Sequence, residues 1–189
     1  DMVEKPKGEL LQIFVLGGSL GARVFNQNLP QILHELSQSF PNIHITHQVG
    51  KGNLQAVEKT YAQYDFPANV ELNISEFIDD IASKYAQADI IICRAGASSV
   101  AEIAAAGRVA CFVPLPTAVD DHQTANAAFL TRVDAGLLCP QDKLSSLVQN
   151  LLPVLTQVQS RLQMGKNARQ HSQTNATDRV CTIIKEAVT

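Results

Sequence analysis

Three glycines and a serine separate an apolar run from an amphipathic stretch in V-L-G-G-S-L-G-A-R-V-F-N, residues 15–26. Glycine lets a backbone turn sharply and approach a ligand closely. A helix starting at Gly21–Ala22 aims free N–H groups and the positive end of its dipole at one point. Ser19 adds a hydroxyl donor beside Gly18. The chemistry on offer is anion binding, with a bare strand-to-helix turn as the plain alternative.

The common nucleotide signatures do not fit this loop. A dinucleotide fingerprint needs glycine where Leu16 stands, and a carboxylate at the end of the second strand to hold a ribose. That strand ends H-Q-V-G at residues 47–50, without an acid. The triphosphate-binding G-x-x-x-x-G-K-[ST] pattern is also absent. A nicotinamide or flavin enzyme is therefore disfavoured.

A second strand-to-helix loop follows at residues 93–107, C-R-A-G-A-S-S-V-A-E-I-A-A-A-G. Two readings stand side by side. In one, Ser99 and Glu102 form a capping box, with Ser99 as N-cap. In the other, this helix start is a second donor set for a diphosphate, and Glu102 accepts two hydrogen bonds from a ribose diol. Arg94 is either a phosphate counter-charge or a structural partner of Glu102 or Asp89. A third loop, residues 114–126, is long and polar. There His122, Gln123 and Asn126 are placed to recognise hydroxyls, and Asp120 or Asp121 suits a plain N-cap.

The elements that carry these loops alternate. Apolar runs at residues 10–16, 43–48, 70–74, 90–93, 110–113 and 136–139 read as strands. The stretches 22–39, 54–64, 78–87, 99–106 and 123–131 read as helices, with Gly107 as a C-terminal cap. Pro30 is expected to kink or break the first helix. From residue 143 onward the chain reads as helical, broken around Pro153 and near residues 172–175. Strand–helix alternation predicts an α/β fold, a doubly wound parallel sheet of about six strands with ligands at the strands' carboxyl ends.

Bulk properties narrow the function. The 189 residues suit one sizeable α/β domain, and a net charge of −3 without a Lys/Arg cluster speaks against a nucleic-acid partner. No apolar run nears the roughly 18 residues of a membrane span. The four cysteines, Cys93, Cys111, Cys139 and Cys181, are far apart and read as reduced structural thiols. No histidine spacing suggests a metal site, and no cofactor is called for. Residues 1–9, charged and holding Pro6 and Gly8, read as a linker remnant before a domain at 10–189.

Taken together, G-G-S-L-G-A-R-V-F-N, S-E-F-I-D-D at 75–80, the second loop, and D-H-Q-T-A-N-A at 121–127 resemble the carboxy-terminal half of the MurG family. These bacterial transferases move N-acetylglucosamine from UDP-N-acetylglucosamine (UDP-GlcNAc) onto lipid I, giving lipid II for peptidoglycan. The resemblance implies a GT-B glycosyltransferase, built of two Rossmann-like domains, of which this is the donor-binding C-terminal one. It implies that Gly18 and Ser19 contact the diphosphate and that Ile78 holds the uracil edge through its backbone. Ala97, Ser98, Ser99, Val100, Ala101 and Glu102 would line the donor, Ser99 near the phosphates and Glu102 on the ribose. Gln123 would recognise the sugar, with Asn126 beside it, and Arg94 would sit behind the diphosphate.

The family's general base, acceptor site and membrane-docking surface belong to a preceding domain, against which the last helix, around residues 176–185, would pack. The implied place of work is the cytoplasmic face of the bacterial inner membrane, as a peripheral enzyme. The alternatives are a stand-alone subunit of a related UDP-GlcNAc transferase acting on another lipid-linked sugar, or a non-catalytic nucleotide-sugar-binding module.

Overall fold

A computed structural model describes residues 10–40, 42–116 and 121–172. The linker reading of residues 1–9, Asp120, Cys181 and the last helix at 176–185 lie outside the described residues. The strands β1 (Leu11–Leu16), β2 (Ile43–Gln48), β3 (Val70–Ser75), β4 (Ile90–Cys93), β5 (Ala110–Phe112) and β6 (Gly136–Leu138) form one sheet in the order β3-β2-β1-β4-β5-β6. Every pairing is parallel. The helices are α1 (Arg23–Ser37), α2 (Leu54–Tyr61), α3 (Ile81–Gln87), α4 (Ala97–Ala106), α5 (His122–Thr131), α6 (Leu147–Thr156) and α7 (Val158–Gln170). A 3-10 turn at Gln141–Ser146 leads into α6.

The strands' side-chain alternation builds two cores, one on each face of the sheet. Ile13 and Val15 of β1 and Ile90 and Ile92 of β4 enter the first, with Phe25, Leu29, Leu33 and Leu36 of α1 and Leu147 and Leu151 of α6. Phe14, Leu16, Ile91 and Cys93 enter the second, with Tyr85 of α3, Val100, Ile103 and Ala104 of α4, and Ala127 and Leu130 of α5. Central strands buried on both faces read as continuous apolar runs, which is why I-I-I-C was legible as a strand. Edge strand β3 alternates instead, with Glu71 and Asn73 exposed and Val70, Leu72 and Ile74 packed inward.

Both expected proline breaks are absent. The first helix runs unbroken through Pro30, which lies on its buried face among Phe25, Leu29 and Leu33. A proline inside a helix costs about 3 kcal/mol, less than burying such side chains at roughly 1.5–3 kcal/mol each returns. Pro153 likewise sits inside α6, and the break comes at Gln157 (φ −100°, ψ 83°) instead. No described helix is long and apolar enough to cross a membrane.

Candidate functional site

The strand order reverses direction between β1 and β4. Connections leaving their carboxyl ends diverge to opposite faces and open a crevice there. Both glycine-bearing loops of the sequence lead out of these two strands. The loop after β1 flanks a cleft of about 440 Å³, bounded also by Arg94, Leu115 and Gln141.

Gly17 and Gly21 border this cleft and also serve a junction of backbones. A Cβ on Gly17 would stand 2.6 Å from the Gln48 carbonyl oxygen, and one on Gly21 would overlap the Val49 carbonyl. Gly50 presses equally on the Gly21 nitrogen. The Lys51 N–H donates to the Ser19 carbonyl (3.1 Å) and the Gly17 N–H to the Gln48 carbonyl (3.0 Å). The loops after β1 and β2 are thus fastened to one another. Gly18 differs: its φ is +78° but nothing lies within 4 Å of its missing Cβ. Gly18, Ser19 and Leu20 form the exposed tip.

The helices that start at this crevice share a feature. At α1 the N-cap is Ala22, with no side-chain capping bond and no acid in the first turn. At α4 the N-cap is Gly96, again without a side-chain cap or a first-turn acid. Among the described helices only α3 has a side-chain cap, the Asp80 Oδ1 accepting from the Ser83 N–H at 3.0 Å, so α1 and α4 are set apart by where their open ends lie. The capping-box reading of Ser99 and Glu102 is therefore overturned: α4 begins at Ala97, so Ser99 lies inside its first turn. The first N–H groups of α1 and α4 stay open to an incoming anion.

Along α4, Ala97, Ser98, Ala101 and Glu102 are exposed and Ser99 is half-buried. Val100 is 4% exposed and packs in the second core, so its side chain cannot line a ligand. Ile78, just before α3, packs partly against that same core, while its neighbour Phe77 is exposed. The Cys93 thiol beneath α4 is pushed up to about 12 by burial, which makes it a packing group and no nucleophile. Cys93, Cys111 and Cys139 are free and buried, as expected.

Arg94 pairs with neither Glu102 nor Asp89. Residues alternate across a strand, so the side chain after Cys93 turns to the α1 face, away from Glu102 on α4. Its guanidinium donates to the Val113 and Pro114 carbonyls (both 3.0 Å) and to Gln141 Oε1 (2.6 Å). It also lies 4.9 Å from the Phe25 ring centre, and burial lowers its pKa. Asp89, at the opposite strand end, accepts from the Gln12 N–H (2.8 Å) and faces Arg161 at 3.4 Å.

In the third loop, Gln123 Oε1 accepts from the Leu115 N–H (3.0 Å). Asn126 Nδ2 donates to the Ala95 carbonyl (3.0 Å), tying α5 to the loop after β4. Asp121 occupies the N-cap position of α5 without a backbone capping bond. Its Oδ1 accepts the Thr124 hydroxyl at 2.7 Å instead. Its φ of +51° departs from the extended backbone from which an N-cap side chain ordinarily reaches those N–H groups.

Sequence reasoning missed Gln141, Gly50 and Tyr85. Gln141 follows a proline far down the chain, and only folding brings it to Arg94. Gly50 closes the H-Q-V-G segment, where nothing in the spacing marks it out. Tyr85 carries no motif.

The sequence profile described as the glycosyltransferase family 28 C-terminal domain matches residues 12–180. A protein of Acinetobacter baumannii (strain ACICU), named UDP-N-acetylglucosamine–N-acetylmuramyl-(pentapeptide) pyrophosphoryl-undecaprenol N-acetylglucosamine transferase, is 46% identical over 95% of this chain and 48% of its own length. One of the same name from Shewanella denitrificans is 42% identical over 98% of this chain and 50% of its own. The crystal structure of Acinetobacter baumannii MurG superposes with a TM-score of 0.85 at 43% identity, covering 98% of this chain and 51% of that one. The chain spans about half the length of the curated relatives it matches. With a match to nearly the whole chain and the fold to go with it, this chain belongs to the glycosyltransferase family 28 C-terminal domain family.

Proposed function

We propose that this chain is the UDP-GlcNAc-binding half of an inverting transferase that passes N-acetylglucosamine to lipid I, making lipid II for peptidoglycan. The observation that carries the proposal is the pair of uncapped helix starts, α1 and α4, at the β1–β4 crevice. Each helix end stabilises a nearby anion by about 0.3–1 kcal/mol at an exposed site, and by up to ~2 kcal/mol when partly buried. Two of them facing one crevice suit a diphosphate better than a single phosphate.

In this reading Gly18 and Ser19 cover the diphosphate from the exposed tip, the Ser19 hydroxyl donating. The N–H groups of Ala97 and Ser98 meet it from α4, with the Ser99 hydroxyl alongside. Glu102, exposed on α4, accepts the two ribose hydroxyls, and the backbone at Ile78 reads the uracil edge. Val100 and Ala101 contribute through backbone position. Gln123, whose Oε1 is already engaged by Leu115, offers its amide N–H groups to the sugar. Asn126, donating to the Ala95 carbonyl, ties α5, which presents Gln123, to the loop after β4. Arg94 lends positive potential to the cleft floor while bracing β4, β5 and the 3-10 turn.

The reaction is displacement at the anomeric carbon of N-acetylglucosamine by the muramoyl 4-hydroxyl. That C–O bond forms as the bond to the UDP oxygen breaks, with inversion. The hydroxyl proton passes to a general base of the preceding domain. UDP departs with its new charge held by the two helix ends and the hydroxyl donors, so the leaving group is stabilised where charge develops. Residues 10–189 would form the donor domain, 1–9 the linker, and the last of the helices within 143–189 would pack against the preceding domain. The same reading puts the enzyme at the cytoplasmic face of the inner membrane, with lipid I and the membrane met through that domain.

Calorimetric titration of UDP-GlcNAc tests the assignment. Hydrogen bonds to a charged group contribute ~1.5–3 kcal/mol, so Glu102→Ala is expected to weaken binding by roughly ten- to a hundredfold. Unchanged affinity would remove Glu102 from the ribose.

A further inference from the structure

Tyr85 of α3 is buried in the second core at 3% exposure, its ring edge-on to Phe14 with centres 5.7 Å apart. Its hydroxyl oxygen is sealed from solvent and closes no hydrogen bond among the described residues. A buried donor without a partner costs stability, and phenylalanine would fill the same space without that cost. The groups acting on it include the Glu102 carboxylate and the Ser99 hydroxyl of α4 and the Cys93 thiol at the end of β4. Burial first, then the charge of Glu102, raise the phenol's pKa. At neutral pH the group is therefore protonated and able to donate.

We propose that Tyr85 is a positioning residue for Glu102, its phenol donating to one carboxylate oxygen and fixing the glutamate in the rotamer that accepts the ribose diol. The inference rests on the reading of Glu102 as the ribose ligand. An ionised carboxylate has about four lone-pair sites, enough for one phenol and two ribose hydroxyls together. Glu102 is exposed and long, so without a brace it would lose rotamer freedom on binding. A phenol waiting in the core gives that rotamer a hydrogen bond of its own once the diol draws the carboxylate in, and so offsets the loss. The orphaned hydroxyl in the ligand-free state is then stability held back until the nucleotide binds.

Calorimetry with UDP on the chain, Tyr85→Phe, Glu102→Ala and the double variant tests this. Tyr85→Phe is expected to bind UDP about two- to tenfold more weakly, the cost of ordering one long side chain left without its brace. Its thermal midpoint should stay level or rise, because an orphaned hydroxyl is removed. In the Glu102→Ala background the Tyr85 substitution should change nothing further. The affinity for 2′,3′-dideoxyuridine diphosphate, which lacks the diol, should be indifferent to it as well.

If Glu102→Ala weakens UDP but Tyr85→Phe does not, the positioning role fails and the ribose assignment stands. If Glu102→Ala has no effect, both fail together. A lowered midpoint in Tyr85→Phe, with a loss of affinity that persists in the Glu102→Ala background, would make the hydroxyl merely structural.

Discussion

Substituting alanine at Gly18 and at Gly21 separates two uses of glycine in one loop. The two residues have nearly the same backbone conformation, with φ of +78° and +77°. Left-handed φ costs an ordinary L-residue about 1–2 kcal/mol, and that penalty applies to both. At Gly18 it is the whole cost, because nothing lies within 4 Å of the added methyl. At Gly21 the methyl meets the Val49 carbonyl carbon at 3.1 Å and its oxygen closer still. No rotamer change relieves a clash between backbone and Cβ, and forced overpacking adds ~1–3 kcal/mol.

Gly18→Ala should therefore lose about 1–2 kcal/mol and Gly21→Ala about 2–5 kcal/mol. For a domain whose total stability is of the order of 5–15 kcal/mol, the second loss is severe. Urea unfolding of the two variants at one pH measures the difference directly. Equal losses would refute the view that the loops after β1 and β2 are packed backbone on backbone at Gly21. Gly50→Ala, whose methyl would strike the Gly21 nitrogen, should behave like Gly21→Ala.

Arg94→Met removes the donors held by the Val113 and Pro114 carbonyls and Gln141. It should cost about 2–3 kcal/mol in urea unfolding and weaken UDP-GlcNAc in calorimetry. A variant of wild-type stability would deny Arg94 its bracing role. Asp89→Ala strands the buried Arg161 charge, and removing one partner of a buried pair typically costs ~3–5 kcal/mol, readable as a lowered thermal midpoint. Burial lowers the His47 pKa to about 3. The unfolded chain therefore binds a proton that the folded chain refuses as pH falls below about 6.5. The stability tied to His47 is whole above that pH and is lost toward pH 3, by ~2 kcal/mol between pH 6.5 and pH 5. His47→Gln should flatten this part of the acid dependence in urea titrations, and an unaltered slope would contradict it.

Strand–helix alternation was legible because both faces of the central strands are covered. Ile90–Cys93 has no polar residue to confuse its reading, and the strand order then fixes where any ligand site must open. Helix starts were less legible. Ser99 and Glu102 have capping-box spacing, but Ala97 and Ser98 already take helical conformation after Gly96, so the pattern falls one turn inside the helix. Proline was over-read at Pro30 and Pro153, where packing against the sheet outweighs a missing N–H. The role of Arg94 was hidden for a different reason. Its partners come from Val113, Pro114 and Gln141, and spacing cannot report contacts made across strands. Tyr85 was invisible because an orphaned hydroxyl is a property of the packed core alone.

The central claim is that a nucleotide-sugar diphosphate lies between the first turns of α1 and α4. A crystal structure with UDP-GlcNAc bound tests it most directly. The account places the phosphates within hydrogen-bonding distance of N–H groups from both helix starts, with the Ser19 hydroxyl beside them and Glu102 on the 2′- and 3′-hydroxyls. A diphosphate bound away from either helix start, or a ribose held without Glu102, would contradict it.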